Sequence, residues 1–155
     1  MSDAGWSYEL DLWRRGFRLV AGVDEVGCGP LAGPVVAAAV IWVPGECLSG
    51  LRDSKHLTPR ARERAAGMIR RRALAWAIGA ASVRYIERHN IRRAAFLAMY
   101  RALRRLSPAP DFVLVDGFCL PDLPWPQLAL PHGDATSASV AAASIIAKVW
   151  RDALM

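Results

Sequence analysis

Gly22-Val23-Asp24-Glu25-Val26-Gly27-Cys28-Gly29-Pro30-Leu31-Ala32-Gly33-Pro34 sets two adjacent carboxylates at the end of an apolar run and opens directly into a glycine-rich turn. Asp and Glu are poor strand residues, and burying either without a partner or a cation is costly. A site that holds a divalent cation against phosphate oxygens has the opposite requirement. It needs carboxylates on a rigid element and backbone that can approach a ligand closely. The stretch therefore points to nucleotide or nucleic-acid chemistry.

Outward from this segment, residues 17–26 read as a strand carrying Leu19, Val20 and Val23, and residues 34–43 as a second apolar, β-branched run ended by Pro44-Gly45. The short turn between them predicts an antiparallel pair. Thr58-Pro59 reads as N-cap and first helical position of an Arg-rich helix over residues 60–73. Residues 74–83 alternate Trp76, Ile78 and Val83 with small side chains, as on a strand covered on one side. Apolar residues from Ile91 through Leu97 and Tyr100 to Leu103 recur at helical spacing over residues 91–106, which Ser107-Pro108-Ala109-Pro110 ends. Phe112-Val113-Leu114-Val115 is a short, wholly apolar strand suited to the centre of a sheet, with Asp116-Gly117 at its end. Residues 120–131 are Pro-rich, with an edge strand around residues 127–130, and residues 136–155 read as a helix with an Ala/Ile/Val face. No repeat or low-complexity linker intervenes, so the pattern predicts one α/β domain with a mixed sheet.

Composition narrows the function. At 155 residues and 54% hydrophobic content the chain builds a core, and general disorder is excluded. A net charge of +6 favours an anionic partner. Three cysteines, Cys28, Cys47 and Cys119, form no CxxC pair, which argues for a reducing compartment and against a zinc module, with Cys47 and Cys119 as reduced structural thiols. His56, His89 and His132 lack metal-ligand spacing, and His56 and His89 read as surface residues. No leader pattern opens the chain, and the longest apolar runs, residues 34–44 and 138–147, are too short to span a bilayer. The expectation is a soluble, cytoplasmic protein without a membrane partner.

Carboxylates recur where sheets gather ligands: Asp24-Glu25 and Asp116 at strand ends, and Asp134 just before the last helix. Taken singly, an Asp-Gly after a strand makes a turn and an Asp before a helix makes a cap. Jointly, converging like charges repel unless cations intervene, which implies Mg²⁺ or Mn²⁺ with oxygen ligands. Gly27-Cys28-Gly29-Pro30-Leu31-Ala32 also fits a dinucleotide fingerprint, but that motif must open a helix, whereas residues 34–43 read as a strand. A non-catalytic nucleic-acid-binding protein stays open; a purely structural module leaves the placed acids unexplained.

The chain resembles ribonuclease HII, the type 2 ribonuclease H family. The match comprises Gly22-Val23-Asp24-Glu25 with the Gly27 to Val35 turn, Asp53-Ser54-Lys55, Asn90-Ile91, Asp116-Gly117, Gly133-Asp134, the Ala141 to Val149 run and Arg151-Asp152. The resemblance implies a ribonuclease H-like mixed sheet flanked by helices, with residues 1–16 an N-terminal extension and 17–155 the catalytic domain. It implies an endonuclease acting on RNA–DNA hybrids and on duplex DNA that contains single ribonucleotides, nicking 5′ of the ribonucleotide and leaving 5′-phosphate and 3′-hydroxyl ends. The family's catalytic, metal-binding acids carry over to Asp24, Glu25, Asp116 and Asp134. Two cations about 4 Å apart would activate water and stabilise the departing 3′ oxygen. Asp24 would be shared, Glu25 and Asp116 would serve the leaving-group side, and Asp134 the water side.

The glycine turn, Gly27-Cys28-Gly29, would read the ribose 2′-hydroxyl, with Lys55, Ser137, Ser139 and Lys148 as phosphate contacts. A monomer is expected. Three departures stand out. Cys28 replaces the family's arginine and predicts weakened substrate binding, since a neutral thiol carries no such charge. His132 replaces a common lysine. The chain stops at Met155 inside a helix without a stop signal, so it is expected to lack the C-terminal part that carries the family's substrate-stacking tyrosine. A catalytically impaired nucleic-acid-binding remnant is the alternative reading.

Overall fold

The strand that ends in Asp24-Glu25 is the axis around which the other elements assemble. A computed structural model describes residues 4–27, 33–51 and 54–154. Strand β1 (Val20–Val26) pairs antiparallel with β2 (Val35–Ile41), setting Asp24 opposite Ala38 and Glu25 opposite Ala37. β3 (Ala75–Ala81) adds antiparallel to the far edge of β2. On the other side, β4 (Phe112–Asp116) runs parallel to β1, and β5 (Gln127–Leu130) runs parallel to β4. The result is the expected mixed sheet, five strands in the order β3-β2-β1-β4-β5.

Helices α1 (Ser7–Arg14), α2 (Pro59–Arg72), α3 (Val83–His89), α4 (Ile91–Arg104), α5 (Gly133–Thr136) and α6 (Ala138–Leu154) surround it. Each strand residue points to the face opposite its neighbours. Ala21, Val23, Val113 and Val115 therefore share a core with α4, which offers Ala94, Ala95, Ala98, Met99, Ala102 and Leu103 along one stripe. Val36, Ala38 and Val40 face the opposite layer, where α6 and α2 contribute Ala142, Ile145, Ile146 and Ile69. Helix α6 lies so close over β1 that a Cβ on Gly22 would collide with the Ser139 carbonyl group and the Val140 nitrogen.

Local signals hold where side chains meet their own backbone. Thr58 Oγ1 accepts from the Ala61 N–H at 3.1 Å and Pro59 opens α2, as its sequence predicts. The first strand begins three residues later than expected, at Val20, because the N–H groups of Arg18 and Leu19 donate to the Asp111 carboxylate at 2.9 and 3.0 Å instead of joining a ladder. The last helix begins at Ala138, not residue 136, because α5 precedes it.

Periodicity did not foresee α1 and α3. Ser82 caps α3 by accepting from Tyr85 N–H at 3.1 Å. α1 has no side-chain cap of its own and is held by the body of the domain: Trp6 Nε1 donates to the Leu48 carbonyl at 2.8 Å, and Trp6 packs on Trp13 and Trp42. Cys47 and Cys119 are free thiols, as their spacing predicts, and both are exposed. Among the described residues, no helix is long and apolar enough to cross a membrane.

Candidate metal centre and its cleft

Register brings the acids together. β1 and β4 run parallel with Val23 beside Val115, so the next residues, Asp24 near the end of β1 and Asp116 at the end of β4, lie level on neighbouring strands. Alternation places both on the α6 side of the sheet, the face that also carries Val20, Gly22 and Leu114. β5 pairs Leu130 with Asp116, after which His132 adopts a left-handed conformation (φ 52°) and turns the chain into α5. This turn delivers Asp134, whose N–H donates to Asp116 Oδ1 at 3.3 Å. Carboxylate oxygens of Asp24, Asp116 and Asp134 all lie within 4.8 Å of one another.

Burial gives this cluster its chemistry. Asp24 is 4% exposed and Asp134 8%, so water screens little of their repulsion. The Asp24 carboxyl is pushed well above its ordinary value of 3.8, first by burial, then by the negative charges of Glu25 and Asp116, with Asp134 adding less. The Glu25 N–H, which donates to Asp24 Oδ1 at 2.8 Å, opposes the rise. Divalent cations would remove the conflict that this crowding creates. The donor set is all carboxylate, which suits hard cations such as Mg²⁺ or Mn²⁺. In this respect the residues fit the ions that the sequence implies.

Glu25 is placed differently. It lines the same cleft but does not join the three aspartates within 4.8 Å. The physical reason is the strand itself, since consecutive residues on β1 project to opposite faces. The cleft, about 310 Å³, is walled by the four acids together with Gly27, Ser54, Lys55, Arg62, Ser144 and Lys148. Lys55 and Lys148 thus share the cleft with the acids.

Gly27 has φ +98°, and a Cβ there would sit 2.6 Å from Arg151 Nε and 2.8 Å from the Pro34 carbonyl, so only glycine fits. Cys28 and Gly29 lie outside the described residues, as does Asp53.

Ser137 and Ser139 require correction. Both are buried, at 0% and 1% exposure, and neither is open to a phosphate. Ser137 Oγ donates to Glu9 Oε2 at 2.8 Å and accepts from Val140 N–H at 3.2 Å, making it the cap of α6. Ser139 N–H donates to the same Glu9 oxygen at 2.8 Å. A carboxylate from α1 thus occupies the helix terminus where a phosphate was expected.

Sequence reading missed Arg62, hidden among the exposed arginines of α2. Its signal was the spacing Arg62, Ala66, Ile69, which is the buried stripe of that helix.

Comparison with known proteins agrees with this architecture. The family model described as Ribonuclease HII matches residues 21–155. Ribonuclease HII of Moorella thermoacetica is 53% identical over 153 residues, covering 99% of this chain and 74% of its relative. The crystal structure of ribonuclease H2 from Pyrococcus horikoshii superposes with a TM-score of 0.74 at 28% identity, over 86% of this chain and 72% of the other. Bst-RNase HIII, solved in complex with Mn²⁺, gives a TM-score of 0.66 at 25% identity, over 89% of this chain and 53% of the other. The level aspartates of the parallel β1/β4 pair, the family match over residues 21–155 and the 53% identity to the Moorella protein together place this chain in the ribonuclease HII family of endoribonucleases.

Proposed function

We propose that this chain hydrolyses the RNA strand of RNA–DNA hybrids and nicks duplex DNA on the 5′ side of single embedded ribonucleotides, leaving 5′-phosphate and 3′-hydroxyl ends. One observation carries the reading: three aspartate carboxylates within 4.8 Å of one another, in a cleft that also holds Lys55 and Lys148. Asp24, Asp116 and Asp134 would hold Mg²⁺ or Mn²⁺, with Glu25 as the fourth acid on the cleft wall. Such ions, when bound, supply an activated water and neutralise charge on the departing 3′ oxygen.

The chain's own residues do the rest. Asp24 and Asp116 are fixed by neighbouring strands, so the binding oxygens are organised before substrate arrives. Lys55 and Lys148 are point charges suited to phosphates flanking the scissile bond. Gly27 lets backbone come near the ribose, where the 2′-hydroxyl alone distinguishes RNA from DNA. The expected partners are nucleic acids, the protein acting as a monomer in the cytoplasm.

The purified chain is incubated with an RNA–DNA hybrid in Mg²⁺, in Mn²⁺ and in EDTA. Cleavage confined to the RNA strand, present only with metal and lost in Asp24→Asn, Asp116→Asn and Asp134→Asn, is the expected result. Tight binding without cleavage in either metal would overturn it in favour of a binding remnant.

A further inference from the structure

Arg151 and Asp152 belong to the motif pattern but lie outside the aspartate cluster. We propose that this pair positions the substrate-facing segments around the cleft, Arg151 through the ends of the glycine turn and Asp152 through Lys148 and the Lys55 turn. The inference rests on the function proposed above and assigns that function two further positioning residues.

Arg151, 5% exposed near the end of α6, donates from Nε to the Pro34 carbonyl at 3.0 Å. The same nitrogen packs where a Cβ of Gly27 would be. One buried side chain thus bonds Pro34 and packs against Gly27, described residues on either side of the turn. Asp152 faces the other way. Its Oδ1 lies 3.0 Å from Lys148 Nζ and its Oδ2 lies 3.6 Å from Arg62.

Arg62 is buried, and its Nε and Nη2 donate to the Ser54 carbonyl at 3.2 and 3.0 Å, while Nη2 also donates to the Leu57 carbonyl at 2.9 Å. Those carbonyls bracket the 3₁₀ turn Ser54–His56, which carries Lys55. A second tie comes from Ser54 Oγ and Ser144 Oγ, 2.9 Å apart. Asp152 therefore links one cleft lysine directly, and the turn of the other through Arg62.

An exposed Lys–Asp pair one helical turn apart contributes little by itself. Here the carboxylate is held from behind by a guanidinium that makes three hydrogen bonds to backbone. Lysine has a flexible stem and loses much rotamer freedom when it is fixed on a phosphate. Holding Lys148 in advance moves that cost from binding into folding, so the benefit appears as substrate affinity.

Steady-state nicking of a single-ribonucleotide duplex is measured for the full chain and for Asp152→Asn, Lys148→Ala, their double variant and Arg151→Lys. Asp152→Asn and Arg151→Lys are expected to raise KM about tenfold and leave kcat within about twofold. The double variant is expected to lose less than the sum of the two single losses, because Asp152 acts in part through that lysine and in part through the Lys55 turn. An unchanged KM in Asp152→Asn, a fall in kcat and melting temperature without a KM effect, or strictly additive losses would overturn the proposal. If the wild-type chain binds but does not nick, the functional reading falls. Duplex affinity by fluorescence anisotropy then decides the positioning claim by the same pattern.

Discussion

Asp24 is where folding and function make opposing demands. Its carboxyl is raised above 3.8, so the native chain holds this proton to higher pH than the unfolded chain does. The stabilising share of this group is full below that ordinary value and is lost as pH rises through the folded one. Asp24→Asn removes the conflict. In EDTA, the variant is expected to melt above wild type at about pH 8, the gap closing toward about pH 4. Adding Mn²⁺ at about pH 8 is expected to reverse that order, because only the wild type gains ligand-linked stability. Thermal melts across pH check both points, and a wild type more stable than the variant in EDTA at high pH would contradict the assignment. The aspartates were legible in the sequence because strand ends and an Asp before a helix are local features. That Glu25 stands apart from them also follows from strand alternation, a signal the motif resemblance overrode.

Elements were legible in proportion to how far their reasons lay along the chain. α2 and α4 declare themselves by a cap and by a periodic stripe, and β1 and β2 by a short connection between apolar runs. α1 does not, because its partners are remote: Glu9 meets Ser137 across 128 positions and Ser139 across 130. For the same reason Ser137 and Ser139 were misread as phosphate contacts, since nothing near them announces a carboxylate. Glu9→Ala would leave the Ser139 N–H and the Ser137 hydroxyl buried without this acceptor, at a cost of about 2 kcal/mol. Chemical denaturation checks it, and the loss is expected in stability, with metal binding retained. Gly22→Ala is expected to cost about 3 kcal/mol, because α6 must lift off β1 to admit the methyl group. Displacing α6 also disturbs Lys148, so activity falls with stability in that variant.

Taken as a whole, the molecule divides its labour between a sheet that fixes carboxylates and helices that surround them with cations. The mixed topology makes this possible: a parallel β1/β4 pair sets two aspartates level, and the antiparallel β2 brings the chain back beside β1 after the glycine turn. The net charge of +6 coexists with a local cluster of acids, an arrangement suited to gathering a polyanion through basic surface while reserving the cleft for cations. The claim that joins these features is that a carboxylate-held cation, with water as nucleophile, breaks the bond 5′ of a ribonucleotide. End-group mapping at nucleotide resolution on a duplex with one ribonucleotide tests it most directly. A single nick 5′ of the ribonucleotide, dependent on Mg²⁺ or Mn²⁺ and bearing a 5′-phosphate and a 3′-hydroxyl, is the result expected. A nick on the 3′ side ending in a 2′,3′-cyclic phosphate, or one that persists in EDTA, would contradict it.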